Sequence, residues 1–463
     1  MAATALHRGP VATVPARLVE RAVRLPLIAI VAIAVGARLV AGLAIPASGT
    51  SEYEFGWLAR NVVDGHGYSY YSDDPVGRLD PEKPGLPGEK LPSAYMPPAY
   101  TGLTAVAVRA AGSHTGMIWM VRLLNAAAAV GGVLAIHALA RRLTSERAAK
   151  LAALGFALYP SMVYAATQVS AANVYLPVEM AALVLLLGTA AAVGPGAWRR
   201  WALAGLVVGV VCLLRSEAVL FVPLAAVWLV SASRREGMPS RRSLRLAAVF
   251  LAVAVLPAGA WLVRNSVALD APVLTITTTG GSNLWIGNHH GASGSAKDFT
   301  IPTRIQDEIL ALDAGDDFEV QVDALYRREA LDAITDDPIG TVARDAEKAV
   351  MLGVADVHDR RNLNPIYLLS YAALLLTGVA GFVRWWRDRP RGDPARRLVA
   401  GYLLVAVCVP VVFFVLARYR LPIEALLLVF AGAWLATRCP APPASVQQDE
   451  GREAAGYESW TGR

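Results

Sequence analysis

Residues 201–231 read WALAGLVVGVVCLLRSEAVLFVPLAAVWLVS, and this stretch decides the fold. As one helix it would be ~46 Å long at 1.5 Å per residue, too long for a hydrocarbon core of ~30 Å. Arg215-Ser216-Glu217 interrupts it near its middle. A charge held at mid-membrane costs ~2.5–3.5 kcal/mol or more, so a hairpin that carries these side chains to a surface is cheaper than one continuous rod. The stretch therefore reads as a pair of spans with a tight link. The segment 398–437 is broken in the same way by Arg418-Tyr419-Arg420-Leu421-Pro422.

Working outward, apolar runs long enough to span occur at 25–46, 117–140, 148–166, 172–193, 200–214, 217–232, 244–263, 364–383, 398–416 and 421–437. The basic residues alternate between the links. Arg8/Arg17/Arg21/Arg24, Arg141/Arg142/Arg147/Lys150, Arg199/Arg200, Arg234/Arg235/Arg241/Arg242/Arg245 and Arg384/Arg387/Arg389/Arg391/Arg396/Arg397 fall on every second one. By the positive-inside rule these links and both termini are cytoplasmic. The loops 47–116 and 264–363 and the short links 167–171, 215–217 and 417–420 then lie outside. Pro98–Ala111 would spoil this parity if it spanned; at about 14 residues it is short, and it reads as an outer interfacial helix. The expected fold is an all-α polytopic membrane protein of about ten transmembrane helices, with extracytoplasmic interfacial helices and loops. Its organisation is a cytoplasmic N-terminus (1–24), a membrane domain (25–263) carrying the first outer loop, a large outer loop (264–363), C-terminal spans (364–437) and a disordered cytoplasmic tail (438–463) rich in Pro, Gln, Glu and Gly.

Composition agrees. The 463 residues are 55% hydrophobic and 17% charged, with a net charge of +6. A soluble chain of this length needs far more polar surface. The basic excess is accounted for by topology and gives no reason to invoke nucleic acid. The apolar core of 25–46 is longer than a signal-peptide core and reads as a retained first helix. Cys212, Cys408 and Cys439 lie in apolar runs or at a helix end and indicate neither a disulfide framework nor a thiolate metal site.

The unusual chemistry sits in the two long outer loops. The first carries Glu52, Glu54, Asp64 and further acids among Tyr53, Trp57, Tyr68, Tyr70, Tyr71, Tyr95 and Tyr100. Residues 51–63 suit a helix starting after Ser51, and Asp73–Pro98 reads as loop. The second opens with residues 275–291, TITTTGGSNLWIGNHHG, which reads as turn-rich backbone with an apolar insert and Gly280-Gly281 as a tight turn. Amphipathic helices follow near 317–335 and 338–352, the latter with Pro338 at its first position.

An acid just beyond the first span, an aromatic shelf and arginines at later outer helix ends form one coherent set. Transfer of a sugar from a lipid phosphate needs these groups. The phosphate leaves as an anion without a general acid, and one carboxylate, Glu52 or Glu54, deprotonates or aligns the acceptor hydroxyl. Guanidinium groups, Arg418 and Arg420 with Arg264, bind phosphate bidentately. Aromatic faces and amides such as Tyr95, Tyr100, Asn283 and Asn288 suit sugar rings. Each piece also has a plainer reading. Taken without the wider pattern, Arg418 and Arg420 read as side chains snorkelling to the outer headgroups, and Arg215 with Glu217 reads as well as an ion pair capping its hairpin as it does as a ligand. His289-His290 lacks companions at ligand spacing, so no metal site is assigned.

At these residues the sequence resembles the membrane glycosyltransferases of the GT-C fold, closest to the bacterial family 39-like group of protein mannosyltransferases and aminoarabinose transferases. The resemblance covers about residues 20–437. Glu52-Tyr53-Glu54-Phe55-Gly56-Trp57-Leu58-Ala59, then Gly65-His66-Gly67-Tyr68, resembles the family's first-loop motif, and Tyr95-Met96-Pro97-Pro98-Ala99-Tyr100 its approach to the outer helix. Gly280-Gly281-Ser282-Asn283-Leu284-Trp285-Ile286-Gly287-Asn288 is the most specific match, and Arg418-Tyr419-Arg420-Leu421-Pro422 is similar to the motif before the last helix. Two departures stand out. The usual Asp-Glu pair of the first loop is Ser51-Glu52 here, and the second outer acid is missing from Ser170–Pro177, the next being Glu179. The resemblance implies a hexosyl- or pentosyltransferase in the cell membrane, its active site extracytoplasmic, with Glu52 as base and Glu54 as rival. It implies a polyprenyl-phosphate-linked donor and a glycan, lipid or protein acceptor. It leaves a divalent cation open and names no other cofactor. The competing readings are a lipid-linked glycan flippase, ligase or polymerase, which needs no base near residue 52, and a transporter, which would place its ionisable groups at mid-membrane.

Overall fold

The computed structural model describes residues 14–47, 53–71, 90–297, 299–312, 315–360 and 362–438. Glu52, most of the Pro- and Gly-rich stretch of the first loop and the tail beyond residue 438 lie outside these. Helices dominate. An amphipathic α1 (Val14–Arg24) leads into α2 (Leu27–Ala44), and the first loop follows with α3 (Tyr53–Val63), a short antiparallel hairpin β1–β2 (Ser69–Tyr71, Lys90–Pro92) and α4 (Pro98–Ala111). The chain then runs through α5 (His114–Leu143), α6 (Glu146–Leu158), α7 (Pro160–Ala165), α8 (Ala172–Ala190), α9 (Ala197–Leu214), α10 (Phe221–Arg235) and α11 (Ser240–Ala268). The second loop holds α12 (Gly280–Asn288), α13 (Thr303–Leu310), α14 (Phe318–Asp336) and α15 (Pro338–Gly353). The last three helices are α16 (Pro365–Asp388), α17 (Pro394–Val412) and α18 (Leu421–Arg438).

Among the described residues nine helical segments are long and apolar enough to cross a membrane. They coincide with nine of the ten expected runs. The tenth, 148–166, is broken at Pro160 into α6 and α7. Proline lacks the N–H that would close the bond to the carbonyl four residues back, that of Phe156. A neighbouring side chain makes up the loss: Arg38 of α2 is buried, stacks over the Phe156 ring, and donates to the carbonyls of Phe156 at 3.4 Å and Ala157 at 3.1 Å. A charge within an apolar helix thus closes a gap in another helix's backbone.

Contacts between links sort the loops into the two groups expected from the arginines. At one end Arg147 pairs with Glu20, Lys150 donates to the Val23 carbonyl, Trp385 to that of Leu143 and Trp228 to that of Pro394. At the other, Arg122 donates to the carbonyls of Gly42 and Thr167, and Thr277 reaches Ser216 at 3.4 Å. The long loops both belong to this second, loop end. Between the ends the helices pack closely: a Cβ at Gly205 would stand 2.4 Å from the Phe250 carbonyl oxygen, so α9 and α11 touch backbone to backbone where only glycine fits.

Two expectations need correction. Residues 280–288 are a helix, not a turn. Gly280 and Gly281 open it, and Gly281 is required by packing: a Cβ there would lie 1.9 Å from the Asp323 carbonyl of α14. The Asp73–Pro98 region also contributes a strand, Lys90–Pro92, whose register pairs Tyr70 with Leu91.

Candidate active site

In the first loop, Leu58 and Ala59 are fully buried and Phe55 meets Tyr100 edge-on at 5.0 Å, which docks α3 on α4. Gly65 and Gly67, with φ of 85° and 71°, end α3 and turn the chain. Glu54 sits buried in the first turn of α3. Tyr100 is wholly buried in the helix core. Tyr95 stacks on Tyr70 with ring centroids 5.3 Å apart.

This loop is gripped from two sides. Arg264, at the loop end of α11, donates to the carbonyls of Tyr68 and Ser93 and lies over the rings of Tyr68 and Trp261. From α14, Glu319 accepts from the Ser93 hydroxyl at 2.6 Å, the Ala94 N–H at 2.8 Å and the Thr278 hydroxyl. Desolvation there holds the Glu319 carboxyl above the usual range, against the pull of those three bonds. Arg264 and Glu319 therefore fix residues 93–95 between the two long loops.

In the second loop, α12 lies against α14 and the end of α17. A Cβ at Gly287 would stand 1.5 Å from the Phe413 carbonyl oxygen. Asn288 donates to the carbonyls of Leu284 and Val412, each at 2.9 Å, and accepts from Lys348 of α15 at 3.1 Å. Buried and engaged through both ends of its amide, Asn288 acts as a brace. Burial lowers the Lys348 ammonium from its usual value, and Asp345, 2.8 Å away, pulls it back. Asn283 is half-buried on the same helix. His290 pairs with Asp336 at 3.7 Å on the surface, and His289 packs against Trp285. Among the described residues no group of three or more His, Cys, Asp or Glu could hold a metal ion.

The charged groups converge at the hairpin ends. Arg215, buried, lies 2.7 Å from Glu217, 3.7 Å from Glu179 of α8, and over the Tyr175 ring at 5.0 Å. Tyr402 of α17 donates to Glu179 at 2.9 Å. Arg215, Glu217, Glu179 and Tyr402 line one side of a cavity of about 40 Å³ between α8, α9, α10 and α17, its other walls Leu183, Val208, Val211 and Phe221. Arg418 is exposed beside this cluster, close enough to interact with Glu217 and Tyr175, with Tyr419 against it. Ser216 and Thr277 tie the same hairpin to the second loop.

The expected arginines therefore separate. Arg418 joins the Arg215 cluster. Arg420 turns the other way: it is buried over Tyr371 at 4.1 Å, donates to the Val354 carbonyl at 3.0 Å and lies 3.3 Å from Glu424. The geometry of Arg215–Glu217 fits the reading as an ion pair at its hairpin, and both side chains also line the cavity. Glu179, Glu424 and Arg38, each within an apolar run, carried a signal in the cost of a charge in hydrocarbon that the reading of the sequence left unused. Arg420, the partner of Glu424, is one helical turn away, but the partners of Glu179 and Arg38 come from distant segments.

The fold and these loop-end groups define the chain as an all-α polytopic membrane protein of the GT-C fold. Residues 97–261 match the family of dolichyl-phosphate-mannose-protein mannosyltransferases. No curated protein matches the chain in sequence. Among solved structures it is similar to the oligosaccharyltransferase of Archaeoglobus fulgidus in complex with zinc and sulfate, with TM-score 0.53, 16% identity, and coverage of 89% of this chain and 48% of that one. It is similar to the same archaeal enzyme, AglB, in complex with an inhibitory peptide and a dolichol-phosphate, with TM-score 0.52, 14% identity and coverage of 94% and 51%. ArnT from Cupriavidus metallidurans bound to undecaprenyl phosphate superposes more loosely, with TM-score 0.39, 16% identity and coverage of 89% and 77%. The chain spans about half the length of the archaeal enzyme.

Proposed function

We propose that this chain is a membrane glycosyltransferase that moves a sugar from a polyprenyl-phosphate-linked donor to a glycan, lipid or protein acceptor on the extracytoplasmic side. The observation that carries the reading is the buried Arg215–Glu217–Tyr175 cluster at the loop end, with the exposed Arg418 within electrostatic range of it. Residues 175–217 lie within the stretch that matches the mannosyltransferase family, whereas Arg418 comes from outside it. The archaeal enzyme of similar fold was solved with a dolichol-phosphate, which supports the same class of donor.

The roles follow from chemistry. The acceptor O–H attacks the anomeric carbon, the bond from that carbon to phosphate oxygen breaks, and the lipid phosphate departs as an anion. A first-loop carboxylate, Glu52 ahead of Glu54, takes the acceptor proton, and attack opposite the leaving group inverts the anomeric carbon. Arg418, exposed and within electrostatic range of Glu217, is assigned to the phosphate. Arg264 and Arg420 are committed to carbonyls and are assigned to holding the loops in place. Tyr95 and Asn283 are assigned to the sugar or acceptor, while Asn288 and Tyr100 support them from within the protein.

The test is transfer from a synthetic polyprenyl-phosphate sugar by Glu52→Gln and Glu54→Gln variants. Each keeps the size of the side chain and loses the basic site. The variant lacking the base should drop by about 10²–10⁴-fold with donor binding intact. Full transfer in both single variants and in the double variant refutes the base mechanism and favours a flippase, ligase or polymerase.

A further inference from the structure

Helix α15 is built inside out. Its outward face carries Ile339 (84% exposed), Val342 (70%), Ala343, Ala346, Ala349 and Val350 (62%), with Glu347 exposed at one edge. At 100° per residue the apolar positions fall on a single arc of ~120°. The opposite face, turned into the protein, holds Thr341, Arg344 and the fully buried Lys348 beside Met351 and Leu352. A helix on a water-facing surface shows the reverse, apolar stripe inward and charges outward. An apolar face with no protein against it implies a solvent that is itself apolar.

Two further observations set the level of this helix. Lys348 donates to the Val412 and Phe413 carbonyls, where α17 ends, and Met351 and Leu352 pack with Val411 and Ile423 of α17 and α18. The C-terminal half of α15 thus stands beside the last turn of one span and the first turn of the next. Exposed apolar side chains also recur along the chain at Val354, Val357 and Leu363 and then at Ile366 and Leu369 of α16, with exposed His358, Arg360 and Asn364 among them.

We propose that α15 is seated in the loop-end margin of the bilayer, its Ile339–Val342–Val350 face among acyl chains and headgroups. Its inward face is then the means by which the membrane positions the second loop. Lys348 joins it to Asn288 of α12, and the Val354 carbonyl just beyond it receives Arg420. The occupant of the apolar face is lipid, because the helix bearing it packs against the end of one span and the start of the next, at the level where the bilayer margin must lie. The inference is independent of the sugar-transfer reading, since it rests on exposure and packing alone.

The experiment uses the full chain, with its three native cysteines replaced by alanine, reconstituted in phosphatidylcholine vesicles. Val342→Cys, Val350→Cys and, as a water-facing control, Asp332→Cys are labelled with bimane. Brominated lipid should quench positions 342 and 350 severalfold more than position 332, and aqueous iodide should do the reverse. Iodide quenching at 342 and 350 equal to that at 332 would place the helix in water and overturn the proposal. Shielding from both quenchers would mean that a second copy or another protein covers the face, and would overturn it equally. Should the cysteine-free chain fail to fold, the wild-type protein in vesicles doped with a diazirine phospholipid gives an independent reading. Adducts are expected in the tryptic peptide 349–360 and not in 305–327. Their absence from 349–360, with labelling of the α16 span as positive control, refutes the seating.

Discussion

Replacement of Arg215 by methionine tests whether the hairpin charges are held as one electrostatic unit. The guanidinium is buried, 2.7 Å from Glu217 and 3.7 Å from Glu179, and sits over Tyr175. Deleting one partner of a buried pair costs ~3–5 kcal/mol, chiefly because the other charge is stranded. The lost contact with the tyrosine ring adds ~0.5–2 kcal/mol. Only Glu217 is at contact distance and methionine recovers some packing, so the net loss should be ~4 kcal/mol. Stranding dominates, so removing the stranded charges should reverse it. The triple variant Arg215→Met, Glu179→Gln, Glu217→Gln should regain most of the lost stability, and Tyr402 keeps an acceptor in the amide that replaces the Glu179 carboxylate. The assay is reversible denaturant unfolding in detergent micelles, followed by tryptophan fluorescence and checked by size exclusion. A triple variant no more stable than Arg215→Met would refute the reasoning. So would a loss below ~1 kcal/mol in the single variant, the size expected of a solvent-screened surface pair.

Cysteines introduced at Gly291 and Gly392 should label from opposite sides of sealed cells or vesicles, and equal labelling of both from outside would sink the topology. Arg418→Lys keeps the charge but loses the two-pronged guanidinium, and should weaken kcat/KM for the donor by ~1–3 kcal/mol. Arg420→Lys should instead lower stability, because the Val354 carbonyl and Asn362 lose their donor. Wild-type donor kinetics in Arg418→Ala would remove that residue from the site. Gly287→Ala must push α12 off the Phe413 carbonyl and should destabilise by ~1–3 kcal/mol or more. Gly280→Ala, with open space around it, is the control, and equal losses in the two would discredit the close approach.

The spans were legible because the membrane imposes one rule on all of them. Arg215-Ser216-Glu217 and Arg418-Tyr419-Arg420 announce hairpin ends by the cost of a charge in hydrocarbon, and the helices stop there. Pro98 and Pro338, at first helical positions, fixed the starts of α4 and α15 equally well. The helix at 280–288 was hidden because Gly280, Gly281 and Gly287 are poor helix formers in isolation. Two of them are there for tertiary reasons, the backbones of α14 and α17, which no local window contains. The same blindness divides the site. That Arg418 and Arg420 would lie at the loop end follows from their place between spans. That one joins Arg215 while the other turns to Glu424, Tyr371 and Val354 depends on which way a short 3-10 turn faces. Glu319 carried no signal at all, being one acid among many in an amphipathic helix.

The bond from Arg38 to the carbonyls at the Pro160 break also bears on how the chain is made. A ribosome delivers α2 well before Phe156 and Ala157 exist, so for that interval the arginine has only the Ala34 carbonyl of its own helix to hold. The helix around it has a mean hydropathy of 2.4, enough to enter the bilayer with the charge aboard. Until the third apolar segment arrives, its guanidinium must stretch toward water at a headgroup layer. The first helix should therefore shift in depth or tilt during synthesis and settle when α6 and α7 insert beside it. Chains halted before and after this segment, tethered to the ribosome and labelled near Ala44, would show the settling as a change in lipid exposure. If the label reports the same depth at both lengths, α2 reaches its final place alone. The proline that interrupts one helix would then serve only to receive an arginine already in position.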